Sequence, residues 1–235
     1  PQNMFDPILR EWAPSFAGVR LRYHCRLLGF TQDAEMVVVE VEDLASGRRE
    51  RITARYLVGC DGAGSRVRER LGIRMLGTPV LTYTTNLIFR CPHFDTIHDK
   101  GKGYRYMFIG PEGTWATIVA INGRDQWRMS IIGSAEPREL SRDEIHAAIR
   151  RAVGRDFEYE ILTIVPWTRR ELVAERYGSG RAFIAGDAAH VMSPTGGFGM
   201  NTGIGVAVDL AWKLAATLAV WGGAALLDSY SVERQ

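Results

Sequence analysis

Several things are scarce in this chain of 235 residues, and each scarcity excludes something. Its three cysteines, Cys25, Cys60 and Cys91, match no metal-binding spacing, so no metal site is expected. Their odd number suits a reducing compartment, and a cytoplasmic location is the expectation. Cys60 ends an apolar run and reads as packing. Net charge is only +2, which predicts no strong attraction to nucleic acid or to an acidic membrane. The densest basic cluster, Arg48, Arg49 and Arg51, is broken by Glu50 and reads as a solvated hairpin with Ser46-Gly47 at its tip. No targeting segment is present. Gly203 to Leu227 is apolar enough to notice, but Asp209 and Lys213 lie inside it and Gly222-Gly223 interrupts it. A buried amphipathic helix is the expectation there, and no membrane span. Internal repeats and low-complexity linkers are missing too. So is a Gly-x-Gly-x-x-Gly after a strand near the start, the usual pyrophosphate fingerprint of a dinucleotide fold.

What is present is an ordinary globular composition, 46% hydrophobic and 24% charged, enough for one large or two smaller cores. Val37-Val-Val-Glu-Val41 reads as a strand that passes through the Ser46-Gly47 turn to Arg51-Ile-Thr, a hairpin or meander. After Gly77-Thr-Pro79 the pattern changes. Leu81 to Phe89, Tyr104 to Ile109, Thr114 to Ile121 and Gln126 to Ile132 are strand-like and separated by turn residues, which suggests a largely antiparallel sheet. Ser141-Arg-Asp-Glu144 is a capping box, and Ile145, Ile149 and Val153 form the stripe of the helix that follows. Ile161 to Val165 reads as a strand that Pro166 ends. The aromatic residues Tyr83, Phe89, Tyr104, Tyr106, Phe108, Trp115, Trp127 and Trp167 concentrate here. One sheet face lined by them would wall an apolar pocket, or they belong individually to the core.

Two glycine-rich stretches carry the chemistry. Ala182-Phe-Ile-Ala185 is a short apolar run, a buried strand or a helix segment by periodicity alone. It leads to Gly186-Asp187-Ala-Ala-His190 and then Pro194-Thr-Gly-Gly-Phe-Gly-Met-Asn201, which opens a helix. Val206, Leu210, Leu214, Leu218 and Trp221 recur on one face of that helix, and Asp209 and Lys213 sit four apart. This layout brings one carboxylate and a row of helix-start N–H groups to the same volume, suited to a polyol and an electron-rich acceptor. Gly196, Gly197 and Gly199 permit close backbone approach. The blander alternative is a strand–loop–helix connection whose glycines serve only the turn. The second stretch is Tyr56-Leu-Val-Gly-Cys60 followed by Asp61-Gly-Ala-Gly-Ser65-Arg-Val-Arg68. Here Asp61 and Ser65 can cap a turn while Gly62 and Gly64 allow tight geometry. Arg66 and Arg68 either offer charge to a nucleotide or are simply solvated beside a short helix from Arg66 to Leu71.

These stretches resemble the second FAD signature and the DG motif of the flavin-dependent aromatic hydroxylases, the p-hydroxybenzoate hydroxylase-like class. The resemblance implies an α/β fold, α+β overall: part of a Rossmann-like FAD-binding domain with an inserted, mostly antiparallel substrate-binding sheet. It divides the chain into 1–77 (FAD domain, central part), 78–168 (substrate sheet) and 169–235 (FAD domain, closing segment). Carried over by position, it makes Asp187 the ribityl ligand, beside Gly186. Pro194 would line the flavin, and the backbone of Gly197, Gly199, Met200 and Asn201 would meet the ring. The DG motif at Asp61 and Gly62 would help hold FAD and serve the reduced nicotinamide. Gln2-Asn-Met-Phe-Asp-Pro-Ile-Leu9 resembles a segment whose glutamine touches FAD, although a surface helix with an ordinary glutamine fits as well. Where many members carry an acidic residue, this chain has Val206.

The family's pyrophosphate fingerprint precedes the position of Gln2, so the chain is expected to be an internal piece lacking an N-terminal segment or a companion chain. Leu226-Leu-Asp-Ser-Tyr230-Ser-Val-Glu-Arg234 resembles a run that normally continues. The activity implied is hydroxylation of a phenolic or polycyclic aromatic ring by NAD(P)H and O₂ through a C4a-hydroperoxyflavin. The alternatives are another flavin oxidoreductase, such as an epoxidase or reductase, or a non-catalytic fragment unable to hold FAD. Catalytic residues stay unassigned: His93, His98 and His146 lack a motif context, and His190 belongs to the flavin signature as a turn-ordering residue.

Overall fold

The computed structural model describes residues 2–235. In chain order the main elements are α1 (Gln2–Trp12), β1 (Cys25–Gln32), β2 (Val37–Asp43), β3 (Arg49–Ala54), β4 (Leu57–Gly59), α2 (Arg66–Arg70), β5 (Met75–Arg90), β6 (Arg105–Gly110), β7 (Gly113–Ala120), β8 (Gln126–Ile132), α3 (Arg142–Val153), β9 (Glu160–Ala174), β10 (Gly178–Ser179), β11 (Ala182–Ile184), β12 (His190–Val191), α4 (Gly199–Leu218) and α5 (Ser229–Arg234). They form two compact units. One contains the residues through Ala17 and Val80–Arg169; the other contains Gly18–Pro79 and Arg170–Gln235.

The first unit is an antiparallel sheet with one helix on it. Its strands lie in the order β9-β5-β8-β7-β6. Alternation sorts their side chains by face. Leu87, Met129, Ile118 and Ala116 point to one side and meet Ile145, Ile149, Ala152 and Val153 of α3 in a single core. The capping box is present in full: the Ser141 hydroxyl accepts from the Glu144 N–H, and the Glu144 carboxylate accepts from the Ser141 N–H. Gly154 closes the helix in the left-handed conformation. Phe89, Tyr106 and Trp127 belong to this core, stacked around Phe94. They therefore do not wall a pocket. The opposite face carries instead Met107, Thr117, Ser130 and Asn86 in one cross-strand row. Within that row the Ser130 hydroxyl donates to the Asn86 amide oxygen at 2.6 Å. Pro166 does not end its strand: β9 runs on to Ala174. Among the described residues β12 pairs only with Leu172 and Val173 of β9, which leaves that side of the strand unpaired at Pro166, where a proline is tolerated.

The second unit joins a three-stranded antiparallel meander, β1-β2-β3, to a small sheet in the order β10-β11-β4. The meander turns at Gly47, φ +70°, where Asp43 accepts from the Ala45 and Ser46 N–H groups. Its arginines face solvent, Arg51 pairing with Glu40, Arg49 with Glu42 and Arg48 with Glu50. β4 and β11 are parallel and in register, Leu57 opposite Ala182 and Gly59 opposite Ile184. Val206 and Leu210 of α4 complete the core with Tyr177, Phe183, Ile184 and Tyr230. Val206 is 1% exposed, an apolar position in an apolar core. The apolar face of α4 is shorter than its periodicity suggests. The helix stops at Leu218, because the chain turns left-handed at Val220 (φ 63°) and Trp221 and Gly222 donate back to the Ala216 carbonyl. Leu218 and Trp221 are exposed.

Candidate functional site

In a parallel pair the carboxyl ends of both strands open on the same side, the usual place for a ligand in such sheets. Asp61 follows β4 by two residues and Asp187 follows β11 by three, so register alone sets both motifs at one end of the pair. The Ala185 N–H donates to the Gly59 carbonyl at 3.0 Å and extends that pairing to the edge of the motifs.

The two carboxylates are in different states. Asp61 is fully engaged: one oxygen accepts from the Ser65 hydroxyl at 2.5 Å, the other from the N–H groups of Arg66 at 2.8 Å and Val67 at 3.2 Å. Ser65, itself buried, accepts from the Arg68 N–H at 3.0 Å as the N-cap of α2. Asp187 is exposed, and among the described residues its carboxylate accepts no hydrogen bond.

Arg68 is neither solvated nor offered to a ligand. It is 7% exposed, and its guanidinium donates to the Ala63 carbonyl at 2.8 Å and the Ala188 carbonyl at 3.0 Å. It thereby ties the Asp61 turn to the Asp187 turn. Local pattern could not reveal this, because one acceptor lies 120 residues away. Arg66 donates to the Leu27 carbonyl at 3.3 Å. Gly59 shows how closely α2 approaches β4: a Cβ there would stand 2.6 Å from that of Val67.

Asp187 sits in a single 3-10 turn, Gly186–Ala188, entered through Gly186 at φ +60°. The chain then makes the short strand β12, paired with Leu172 and Val173, before a second 3-10 turn, Pro194–Gly196, closed by Gly197 at φ +71°. The sequence gives no sign of β12, whose two residues are too few for any periodicity. A Cβ placed on Gly186, Gly197 or Gly199 would meet nothing within 4 Å. Their open conformations therefore leave backbone accessible rather than relieve crowding. Met200 is exposed and Asn201 lies in the first turn of α4. That turn has no acidic residue and no side-chain cap, so its own residues leave the positive end of the helix uncompensated. Gly203, one turn in, would bring a Cβ to 3.6 Å from the Gly186 Cα, so α4 starts against the Asp187 turn.

His190 follows that turn, pairs in β12 with Val173 and packs its ring beside Tyr177. Its ring is 1% exposed, both ring nitrogens lack a hydrogen-bond partner, and burial pushes its pKa below the usual histidine value. Cys60 is exposed, not packed. It lines a groove of about 590 Å³ that runs along β4, with Asp61, Gly64, Arg66 and Val67. Gln2 opens α1, a helix of the first unit none of whose residues is buried. Among the described residues no three His, Cys, Asp or Glu side chains gather as a metal site, and no helix is long and apolar enough to cross a membrane.

A parallel strand pair that presents a free carboxylate and an uncapped helix start, with a separate antiparallel sheet inserted between its halves, defines an α/β protein of the nucleotide-cofactor-binding class. The chain belongs to the family described as FAD binding domain, which matches residues 1–235. It is 35% identical to the tetracenomycin A2 monooxygenase-dioxygenase of Streptomyces glaucescens, over 99% of this chain and 43% of that protein. Among solved structures it is similar to the rebeccamycin biosynthetic enzyme RebC with reduced flavin (38% identity, TM-score 0.87, 100% of this chain and 43% of the other). It is also similar to aklavinone-11 hydroxylase in a ternary complex with FAD and aklavinone (33% identity, TM-score 0.90, 99% and 44%). The chain spans less than half the length of the curated relatives it matches.

Proposed function

We propose that this chain is part of an FAD-dependent monooxygenase that hydroxylates a phenolic or polycyclic aromatic ring. The observation that carries the reading is Asp187: an exposed carboxylate that accepts no hydrogen bond among the described residues, at the carboxyl end of a parallel strand, in a chain of the FAD-binding family. The residues present fit the cofactor. Asp187 would accept hydrogen bonds from ribityl hydroxyls, a charged acceptor for neutral donors. The open backbone at Gly186, Gly197 and Gly199 admits a flat ring without a Cβ in the way. The uncapped start of α4 at Gly199, Met200 and Asn201 favours the electron-rich edge of that ring, with Pro194 beside it. Asp61 is committed to α2, so the Asp61-Gly62 turn would contribute backbone, aided by Gly62 at φ +80°. Gln2 is a further contact by resemblance.

The unit of Gly18–Pro79 and Arg170–Gln235 is then the cofactor unit, and the sheet unit binds substrate. Bound FAD, reduced by NAD(P)H, supplies the two electrons that let O₂ give one oxygen atom to the ring and one to water. The chain's residues position the cofactor and present the polar row at Asn86 and Ser130, which matches hydroxyl or carbonyl groups on an aromatic ligand. The relatives' names support this substrate class, a monooxygenase-dioxygenase and a hydroxylase bound to aklavinone. The test is turnover of an electron-rich polycyclic phenol with NAD(P)H under ¹⁸O₂. One labelled oxygen in the product supports hydroxylation; nicotinamide oxidation with unlabelled product refutes it.

A further inference from the structure

The C-terminal helix α5 is only six residues long, too short to hold itself as a helix, yet nearly every residue in it is anchored. The Tyr230 hydroxyl donates to the Ile184 carbonyl at 2.8 Å, and Ile184 is the last residue of β11 before the Asp187 turn. Tyr230 is wholly buried, and burial raises its pKa, so the phenol stays a donor. From the other end of α5 the Arg234 guanidinium donates to the Gly205 carbonyl, in the second turn of α4. Glu233 pairs with Lys213 at 2.8 Å, and the Ser229 hydroxyl accepts from the same ammonium at 2.7 Å. Lys213 is fully buried and also pairs with Asp209 at 3.3 Å. The Ser231 hydroxyl accepts from the Tyr177 N–H at 2.9 Å, which fixes α5 to the strand region next to β11.

One short helix thus holds the strand that enters the Asp187 loop and the helix that leaves it. We propose that α5 is a clasp that sets the distance between the Asp187 turn and the start of α4, and that Tyr230 and Arg234 are positioning residues for the flavin. The inference rests on the reading of that loop as the FAD site. If the strand end or the helix start shifts, the carboxylate and the helix-start N–H groups no longer meet one rigid ligand together. A clasp made of buried hydrogen bonds and ion pairs resists that shift more sharply than apolar packing, because these bonds depend on direction.

The variants are Tyr230→Phe, Arg234→Met and Arg234→Lys, with Ile149→Val in the α3 core of the other unit as the stability control. Two readouts are taken on each. Hydrogen exchange without FAD is expected to rise several-fold at the amides of 186–188 and 199–203 in Tyr230→Phe and Arg234→Met, but not in Ile149→Val. FAD titration is expected to show affinity weakened by about three- to tenfold in Tyr230→Phe, the equivalent of one hydrogen bond. Bound flavin should then show a shifted visible spectrum, with partial recovery in Arg234→Lys. Unchanged loop exchange overturns the clasp whatever FAD does. Faster exchange with wild-type FAD affinity and spectrum overturns its role toward the flavin. Failure of the unaltered protein to bind FAD overturns the flavin reading itself, while exchange still reports on the clasp.

Discussion

Asp61 and Asp187 each follow one strand of the parallel pair, and their surroundings give them different work. Asp61 accepts three hydrogen bonds and fixes α2, so its loss is structural. Ser65→Ala removes a cap and one of those donors, and is expected to cost about 1–2 kcal/mol in urea unfolding. His190 adds a pH dependence. Its folded-state pKa lies below 6.5 because burial disfavours the imidazolium, so below pH 6.5 the unfolded chain binds a proton that the folded chain refuses. Stability attributable to His190 is therefore intact above pH 6.5 and falls as pH drops from there toward the folded-state pKa. In His190→Leu the acid-side decline of Tm is expected to be shallower; an unchanged slope would show that His190 charges freely in the fold.

At the scale of elements, glycines set how closely β4, β5 and β9 approach their neighbours. Gly77 in β5 has φ +121°, and a Cβ there would sit 2.3 Å from the Glu171 carbonyl oxygen of β9. Backbone cannot move aside as a side-chain end can. Gly77→Ala is expected to destabilise by roughly 2 kcal/mol or more, combining the positive φ with the clash, read as a lower urea midpoint at unchanged slope. The capping box of α3 and the stripe Ile145, Ile149 and Val153 were legible from sequence because cap and periodicity are local signals. Pro166 misled because a proline that ends a central strand is tolerated on an edge, and edges are not written in local sequence. Which aromatic residues enter the core was not legible for a similar reason: Phe89, Tyr106 and Trp127 alternate as any strand residues do, and only the position of α3 decides which face is inside.

For the whole molecule, the fold class was legible because each half of the second unit carries its own strand–glycine–acid signature. What lay beyond reach was every contact between distant segments: Arg68 bridging two turns, and α5 holding both flanks of the Asp187 loop. The motifs marked Asp61 and Asp187 as candidate residues. They did not show that one acidic residue is spent on the scaffold and the other left open. That division is the central claim, and FAD titration of Asp187→Ala beside the unaltered protein, followed by quenching of flavin fluorescence, tests it most directly. Loss of a charged acceptor for ribityl hydroxyls predicts affinity weaker by about 10- to 100-fold with Tm in the absence of FAD unchanged. FAD affinity equal to that of the unaltered protein would contradict it.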